Sequence, residues 1–312
     1  MNETSGSDAA QSSGNMLADR RYDYAMAARA GGDHAAAADL LEQTLELSPH
    51  WSAGWFALGD SLEAAGERHK AETAYAHALA LSSEDSLGSA LRIARLRGDA
   101  PVNAPQAYVR ALFDQYAPTF DAHLVEALDY CAPELLRNAI AETCARLGRT
   151  FRFSHAVDLG CGTGLAATAL RENVSSFSGV DLSPAMVRQA QLTGLYCTLA
   201  AADLVGFMKM QGDASADIVL AADVFVYMGD LEGVFGETAR VLQKGGLFGF
   251  SLQATMAEGY VLGDDLRFAH SRGYLDRLAA KFGFKVENVQ DASYRKDRDI
   301  AVPGLIVVLE KP

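Results

Sequence analysis

The chain is 312 residues long, about two ordinary domains' worth, and its 49% hydrophobic and 21% charged residues exclude disorder over most of that length. With 27 basic against 40 acidic residues the formal charge is −13, which repels nucleic acid and anionic membrane surfaces, so neither is expected as a partner.

Residues 1–16, rich in Ser, Gly and Asp, read as a disordered leader and lack the basic-then-apolar order of a signal peptide. Nowhere do 18 or more apolar residues run together. The four cysteines, Cys131, Cys144, Cys161 and Cys197, form no CxxC pair and read as free thiols, so a cytoplasmic location is expected.

Residues 17–98 carry Ala and Leu at helical spacing with Gly as punctuation. Trp55, Leu58, Gly59, Leu62, Gly66, Ala71, Tyr75 and Ala78 resemble a 34-residue tetratricopeptide unit, and Ala25, Gly32, Ala37, Leu41, Leu45 and Pro49 resemble a weaker copy one period earlier. An Ala-rich helical hairpin is the plainer alternative. Leu87–Leu96 reads as a capping helix, and residues 99–106, with Pro101 and Pro105, as a linker.

Residues 107–312 alternate short apolar runs with amphipathic ones, the pattern of an open α/β sheet. Seven strands are expected, at His155–Leu159, Phe177–Asp181, Tyr196–Ala200, Asp217–Asp223, Leu247–Leu252, Phe284–Gln290 and Gly304–Glu310. Too few residues part the last two for a crossover helix, so they should pair antiparallel.

The strand Val157–Leu159 runs into Gly160-Cys161-Gly162-Thr163-Gly164, a Gly-rich turn that lets a ligand lie against the backbone. Asp181 ends the second strand, where a carboxylate accepts from both hydroxyls of a ribose. Turn and acid alone also suit a nicotinamide dinucleotide.

DLGCGTG at Asp158–Gly164, GVDLSPAMV at Gly179–Val187, AAD at Ala201–Asp203, DIVLAADVFVYM at Asp217–Met228 and LQKGGLFGFS at Leu242–Ser251 together resemble the class I S-adenosylmethionine-dependent methyltransferases, in their type-11 group. The resemblance implies a Rossmann-like seven-stranded sheet over a core at 151–312, lid helices at 107–150, and S-adenosylmethionine as cofactor with S-adenosylhomocysteine as product. It implies that Gly160, Gly162 and Gly164, with Cys161 in the turn, line the methionine moiety, and that Asp158 faces its amino end. Asp181 would hold the ribose with Leu182 against adenine, Asp203 and Leu204 would meet the adenine edge and face, and Ala222 and Asp223 would border the sulfonium. Asp203 also suits a helix N-cap. Leu112–Pro133, with an FDxxAxxFD-like pattern, resembles the entry helix of the type-11 group, which implies Tyr116, Phe120 and Asp121 as lid candidates. With the repeats, the entry segment and a late RFAHSRGYL stretch, the chain resembles a bacterial group of tetratricopeptide-repeat methyltransferases, a resemblance that implies no particular substrate.

The activity implied is methyl transfer to a small-molecule or carrier-bound acceptor, helped by positioning and exclusion of water. His270 and Tyr227 are candidate proton acceptors; His270 falls in Leu266–Arg272, where a substrate loop is expected, and a capping or exposed histidine is its alternative. Phe225 and Met228 suit an apolar acceptor or simple strand core, and Arg295 an acidic group or plain surface. No NPPY-type segment follows the fourth strand, and the scattered histidines predict no metal. The rival readings are a repeat-based interaction module with a non-catalytic or protein-methylating domain, and a nicotinamide dehydrogenase.

Overall fold

A computed structural model describes residues 12–120, 130–293, 296–297 and 300–312. The chain divides into two compact units, Met1–Asp99 and Ala100–Pro312.

The first unit holds five described helices, α1 (Met16–Ala30), α2 (His34–Leu47), α3 (Ser52–Ala64), α4 (Arg68–Ala80) and α5 (Ser89–Arg97), each packed on the next. The leader reading falls largely outside the described residues, but Asn15 caps α1, accepting from the amides of Leu17 and Ala18. Short turns at Gly32 and Gly66, both at positive φ, reverse the chain between partners. α3 and α4 approach closely because position 59 is glycine: a Cβ there would lie 2.6 Å from the Tyr75 ring. The Tyr75 hydroxyl reaches the carboxylates of Asp60 and Glu63, which Arg29, Arg92 and Arg95 neutralise.

The second unit begins with residues that the sequence reads as a linker. Two of them are hydrogen-bonded within this unit: the Val102 carbonyl accepts from the amides of Gly229 and Asp230, and the Ala104 amide donates to Tyr227 O. Among the described residues two helices follow, α6 (Gln106–Tyr116) and α7 (Ala132–Arg146). Then come β1 (Phe153–Leu159), α8 (Leu165–Leu170), β2 (Val174–Asp181), α9 (Pro184–Leu192), β3 (Tyr196–Ala201), α10 (Leu204–Lys209), β4 (Ala216–Ala221), α11 (Glu232–Val241) and β5 (Leu242–Ala254). The rest is β6 (Tyr260–Leu262), β7 (Phe268–His270), α12 (Arg272–Phe282), β8 (Lys285–Ala292), a small β9–β10 pair (Lys296–Asp297 with Ile300–Ala301) and β11 (Gly304–Glu310).

The main path of the sheet is β3-β2-β1-β4-β5-β11-β8, parallel through β5, with β11 antiparallel to both neighbours. These are the seven expected strands. Among the described residues the sheet has nine, because β7 and β6 join it. β4 ends at Ala221 opposite Phe250, and β5 continues to Ala254; β7 pairs with that extension at Gln253 and Ala254. Within the expected substrate loop Leu266–Arg272, Phe268–His270 form the short strand β7, which three residues are too few to reveal by a period-2 pattern.

Both faces of the sheet's centre are covered, so its central strands read as continuous apolar runs. Val219 and Ala221 face the core under α10, α11 and α12, and Ile218 and Leu220 face the core under α7 and α8. This packing leaves the carboxyl ends of β1, β2, β3 and β4 at one rim, the place where open α/β sheets bind ligands.

Candidate active site

At the end of β1 the chain turns through Gly160, Gly162 and Gly164, with φ of +63°, +53° and +94°, conformations that cost little only for glycine. Gly160 is needed for space as well: a Cβ would lie 2.5 Å from Val224 Cγ2. The Cys161 amide donates to Val180 O at 2.9 Å, tying the turn to β2.

β2 ends at Asp181, whose carboxylate is held from two sides: Oδ2 accepts from the Gly162 amide (3.0 Å) and Oδ1 from the Ser183 amide (2.8 Å). Burial raises its pKa, the two amides oppose that, and Asp114 nearby adds to the rise. Each carboxylate oxygen offers two lone pairs, so both retain capacity for a ligand hydroxyl. Asp203 follows β3 and caps α10, accepting from the Gly206 amide at 2.8 Å. It is a helix cap and it also lines the cavity.

After β4, Asp223 is held at φ +57° with its amide donating to Ser251 Oγ at 2.8 Å. Non-glycine residues in that conformation are uncommon and recur at functional sites. A 3-10 turn over Phe225–Tyr227 then sends Phe225 into the core against Phe248 and Phe250 and Tyr227 toward the rim.

These pieces surround one cavity of about 450 Å³, within the usual size for a small-molecule site. Gly160, Gly162, Asp181, Leu182, Asp203 and Leu204 form one wall. Ala222, Asp223, Val224, Tyr227 and Met228 form the next, and α6 closes the cavity with Val109, Phe113 and Tyr116, backed by Phe120. The ring of Phe113 meets Tyr227 edge-on at 5.4 Å, and Tyr116 meets Phe120 at 5.1 Å.

Five residues singled out from the sequence lie off the described lining: Asp158, Cys161, Gly164, Phe225 and His270. Asp158 is buried behind the turn and accepts from the Tyr196 hydroxyl at 2.6 Å. A Cβ on Gly164 would meet Thr193 and the Tyr196 ring, so that glycine makes room for β3's first residue. His270 is fully buried at the end of β7, with Nε2 3.1 Å from Gly229 O, and burial lowers its pKa to about 4. Asp121 and Arg295 lie outside the described residues.

The motifs passed over Asp114, Tyr196 and Arg267. Arg267 is the only cationic side chain on the described lining; it stands 3.9 Å from Asp223 Oδ2 and 5.8 Å from the Tyr227 ring centre. Asp114 was within sight, inside the FDxxAxxFD-like pattern; Arg267 sits in the RFAHSRGYL stretch, where nothing distinguishes it from a surface arginine.

Residues 157–250 match the family model described as a methyltransferase domain. Over 93 residues it is 37% identical to methyltransferase-like protein 27 of Homo sapiens; the match covers 28% of this chain and 36% of that protein, so it spans about a third of the human relative's length. In fold the chain is similar to the 1,6-didemethyltoxoflavin-N1-methyltransferase of Burkholderia thailandensis, solved with 1,6-didemethyltoxoflavin and S-adenosylhomocysteine bound (TM-score 0.50, 22% identity, 68% of this chain and 92% of that one). It is similar also to the [4+2]-cyclase SpnF (TM-score 0.52, 18% identity, 68% and 97%). At these identities the likeness is one of fold.

The residues present fit S-adenosylmethionine. Asp181 would offer acceptors to two ribose hydroxyls and Asp203 an acceptor beside Leu204 to an adenine edge, and the backbone at Gly162 borders open space, since a Cβ there would meet only Phe120 at 3.9 Å.

Proposed function

We propose that the second unit transfers a methyl group from S-adenosylmethionine to a small-molecule or carrier-bound acceptor. One observation carries this reading: a single cavity is lined on one side by the carboxylates and glycines that suit the nucleoside, and on the other by Tyr227, Met228 and the aromatic face of α6. When bound, S-adenosylmethionine supplies a methyl group already activated by its sulfonium, for in-line displacement by a nucleophile. The chain's task is then to orient that nucleophile and keep water out. The apolar wall of Phe113, Phe120 and Met228 serves the second purpose and favours an acceptor with a flat, apolar body.

Of the two candidate proton acceptors, Tyr227 is on the cavity wall, whereas His270 is off it and holds the Gly229 carbonyl. We assign His270 to the support of the segment after β4. Ala222 and Asp223 would border the reacting methyl, with Arg267 beside Asp223.

For the first unit we propose tetratricopeptide-like packing of α1–α4 capped by α5, supported by the 34-residue spacing and by the succession of neighbours. The competing reading, a repeat module that presents a protein to be methylated, predicts that removing Met1–Asp99 abolishes methylation of a protein acceptor in lysate while donor binding survives. The free cysteines suit a reducing compartment such as the cytoplasm. Among the described residues no helix is long and apolar enough to cross a membrane.

Calorimetric titration with S-adenosylhomocysteine, S-adenosylmethionine and NADH tests the reading. Binding of the two sulfur compounds, lost in Asp181→Ala, supports it; binding of NADH alone, or of none, overturns it.

A further inference from the structure

Asp114 sits in α6, the helix whose Val109, Phe113 and Tyr116 form the acceptor side of the cavity. Its side chain points away from that role, toward the start of α9. Asp114 Oδ1 accepts from Ser183 Oγ at 2.6 Å and from the Ala185 amide at 3.1 Å. Ser183 is fully buried and is the N-cap of α9, its Oγ accepting from the Met186 amide at 3.1 Å. The amide of the same Ser183 donates to Asp181 Oδ1. A continuous chain of hydrogen bonds thus runs from the lid helix through Ser183 to the carboxylate placed for the ribose, and on to Gly162.

The arrangement is costly in charge. Asp114 and Asp181 are two carboxylates at one site, and Asp114 disfavours ionisation of Asp181. A neutral acceptor could cap α9 without that penalty. A carboxylate gains from the amides and partial positive charge at the start of α9, but only while α6 is seated against it. Seating of α6 and orientation of Asp181 are therefore linked.

We infer that Asp114 is a positioning residue that fastens the lid helix to the donor-binding turn, so that donor binding and assembly of the acceptor wall are energetically coupled. The inference rests on the donor reading proposed above. Because such coupling is reciprocal, whatever loosens α6 weakens the donor, and a bound donor tightens α6.

The test uses the full chain and S-adenosylhomocysteine. Asp114→Ala removes both hydrogen bonds and should weaken binding about tenfold. Asp114→Asn keeps an Oδ1 that accepts both, and should recover affinity to within about threefold of the unaltered protein. Ser183→Ala removes the shorter of the two bonds to Asp114 and leaves both the Ala185 amide on Asp114 and the amide that holds Asp181; it should weaken binding in the same sense, by less than Asp114→Ala, and add little on top of it.

Hydrogen exchange of the α6 amides supplies a second reading. S-adenosylhomocysteine should slow exchange over Gln106–Tyr116 in the unaltered protein and fail to do so in Asp114→Ala. Unchanged affinity and α6 exchange in Asp114→Ala overturn the inference, as does an Asn variant no better than Ala. If Asp114→Ala does not fold, the Ser183→Ala measurements decide. If the unaltered protein binds no S-adenosylhomocysteine, the donor reading and the coupling fall together; exchange in the free proteins then shows whether Asp114 fastens α6 at all.

Discussion

Tyr196 donates a hydrogen bond of 2.6 Å to Asp158 Oδ2 inside the sheet, and two glycines exist to let it through. A Cβ at Gly179 would lie 2.7 Å from the Tyr196 ring and one at Gly164 3.3 Å from it. Asp158 is raised to about 7, first by burial and then by Asp181, with the Tyr196 hydroxyl opposing both. A carboxyl whose folded pKa lies above its unfolded value helps stability below the unfolded value, about 4, and loses that help as pH rises through about 7. Asp158→Asn, which does not titrate, should therefore gain on the unaltered protein by about 2 kcal/mol between pH 5 and pH 8. Denaturant unfolding at the two pH values measures this; a gap that does not widen refutes it.

Asp181 gives the same sign in binding. Its pKa is raised, chiefly by burial, and it must be ionised to accept from two hydroxyls. Affinity for S-adenosylhomocysteine should consequently fall off on the acid side at a higher pH than an ordinary aspartate would dictate. The groups that face it are Asp114 from α6, Asp158 from β1, and Cys161 and Tyr196, which feel its charge in turn. Asp181→Asn should lose about 10- to 100-fold in affinity at pH 8 and flatten the acid limb, as calorimetry across pH would show.

Gly160→Ala meets two obstacles, the left-handed φ of +63° and a Cβ 2.5 Å from Val224 Cγ2. Together they should cost about 2–4 kcal/mol of stability and much of the donor affinity. Val224→Ala relieves the clash alone, so the double variant should recover part of the loss and leave about 1 kcal/mol for the backbone. Full recovery would mean that the conformation is free for alanine.

How much of this was legible follows from where the information lies. The central strands of the main path show in the chain because they are apolar on both faces, as at Ile218–Ala221. The Gly turn shows because its positive φ values restrict residue type, and Asp181 because a carboxylate that ends an apolar strand stands out in the sequence. β6 and β7 did not show: three residues each give no period, and their place is set by the overhang of β5 past β4. Asp158 and Asp181 look alike as strand-end acids, yet one faces a tyrosine in the core and the other the cavity. Asp114 matters through Ser183, which is 69 residues away in the chain and 2.6 Å away in space.

His270 shows the same limit from the other side, since a histidine beside an expected substrate loop looks catalytic until its burial is known. Its Nε2 faces Gly229 O at 3.1 Å and Nδ1 has no hydrogen-bond partner among the described residues, so the neutral ring protonated on Nε2 is the form that fits. The ring lies nearly parallel to that of Tyr274 at 5.8 Å, and the Tyr274 hydroxyl donates to Asp230 Oδ1 while accepting from the Leu231 amide. The two side chains brace the stretch that leads from Tyr227 and Met228 into α11. His270→Ala should cost about 2–4 kcal/mol in unfolding experiments through the lost hydrogen bond and the cavity left behind. Turnover per folded molecule should stay within about twofold once an acceptor is in hand; a loss of 100-fold or more would make His270 the proton acceptor after all. The pH dependence separates the roles further. With a folded pKa lowered to about 4, the neutral ring contributes stability above the unfolded value, about 6.5, and that contribution drains away as pH falls toward 4. The stability gap between the unaltered protein and His270→Ala should accordingly narrow by about 2 kcal/mol from pH 7 to pH 5.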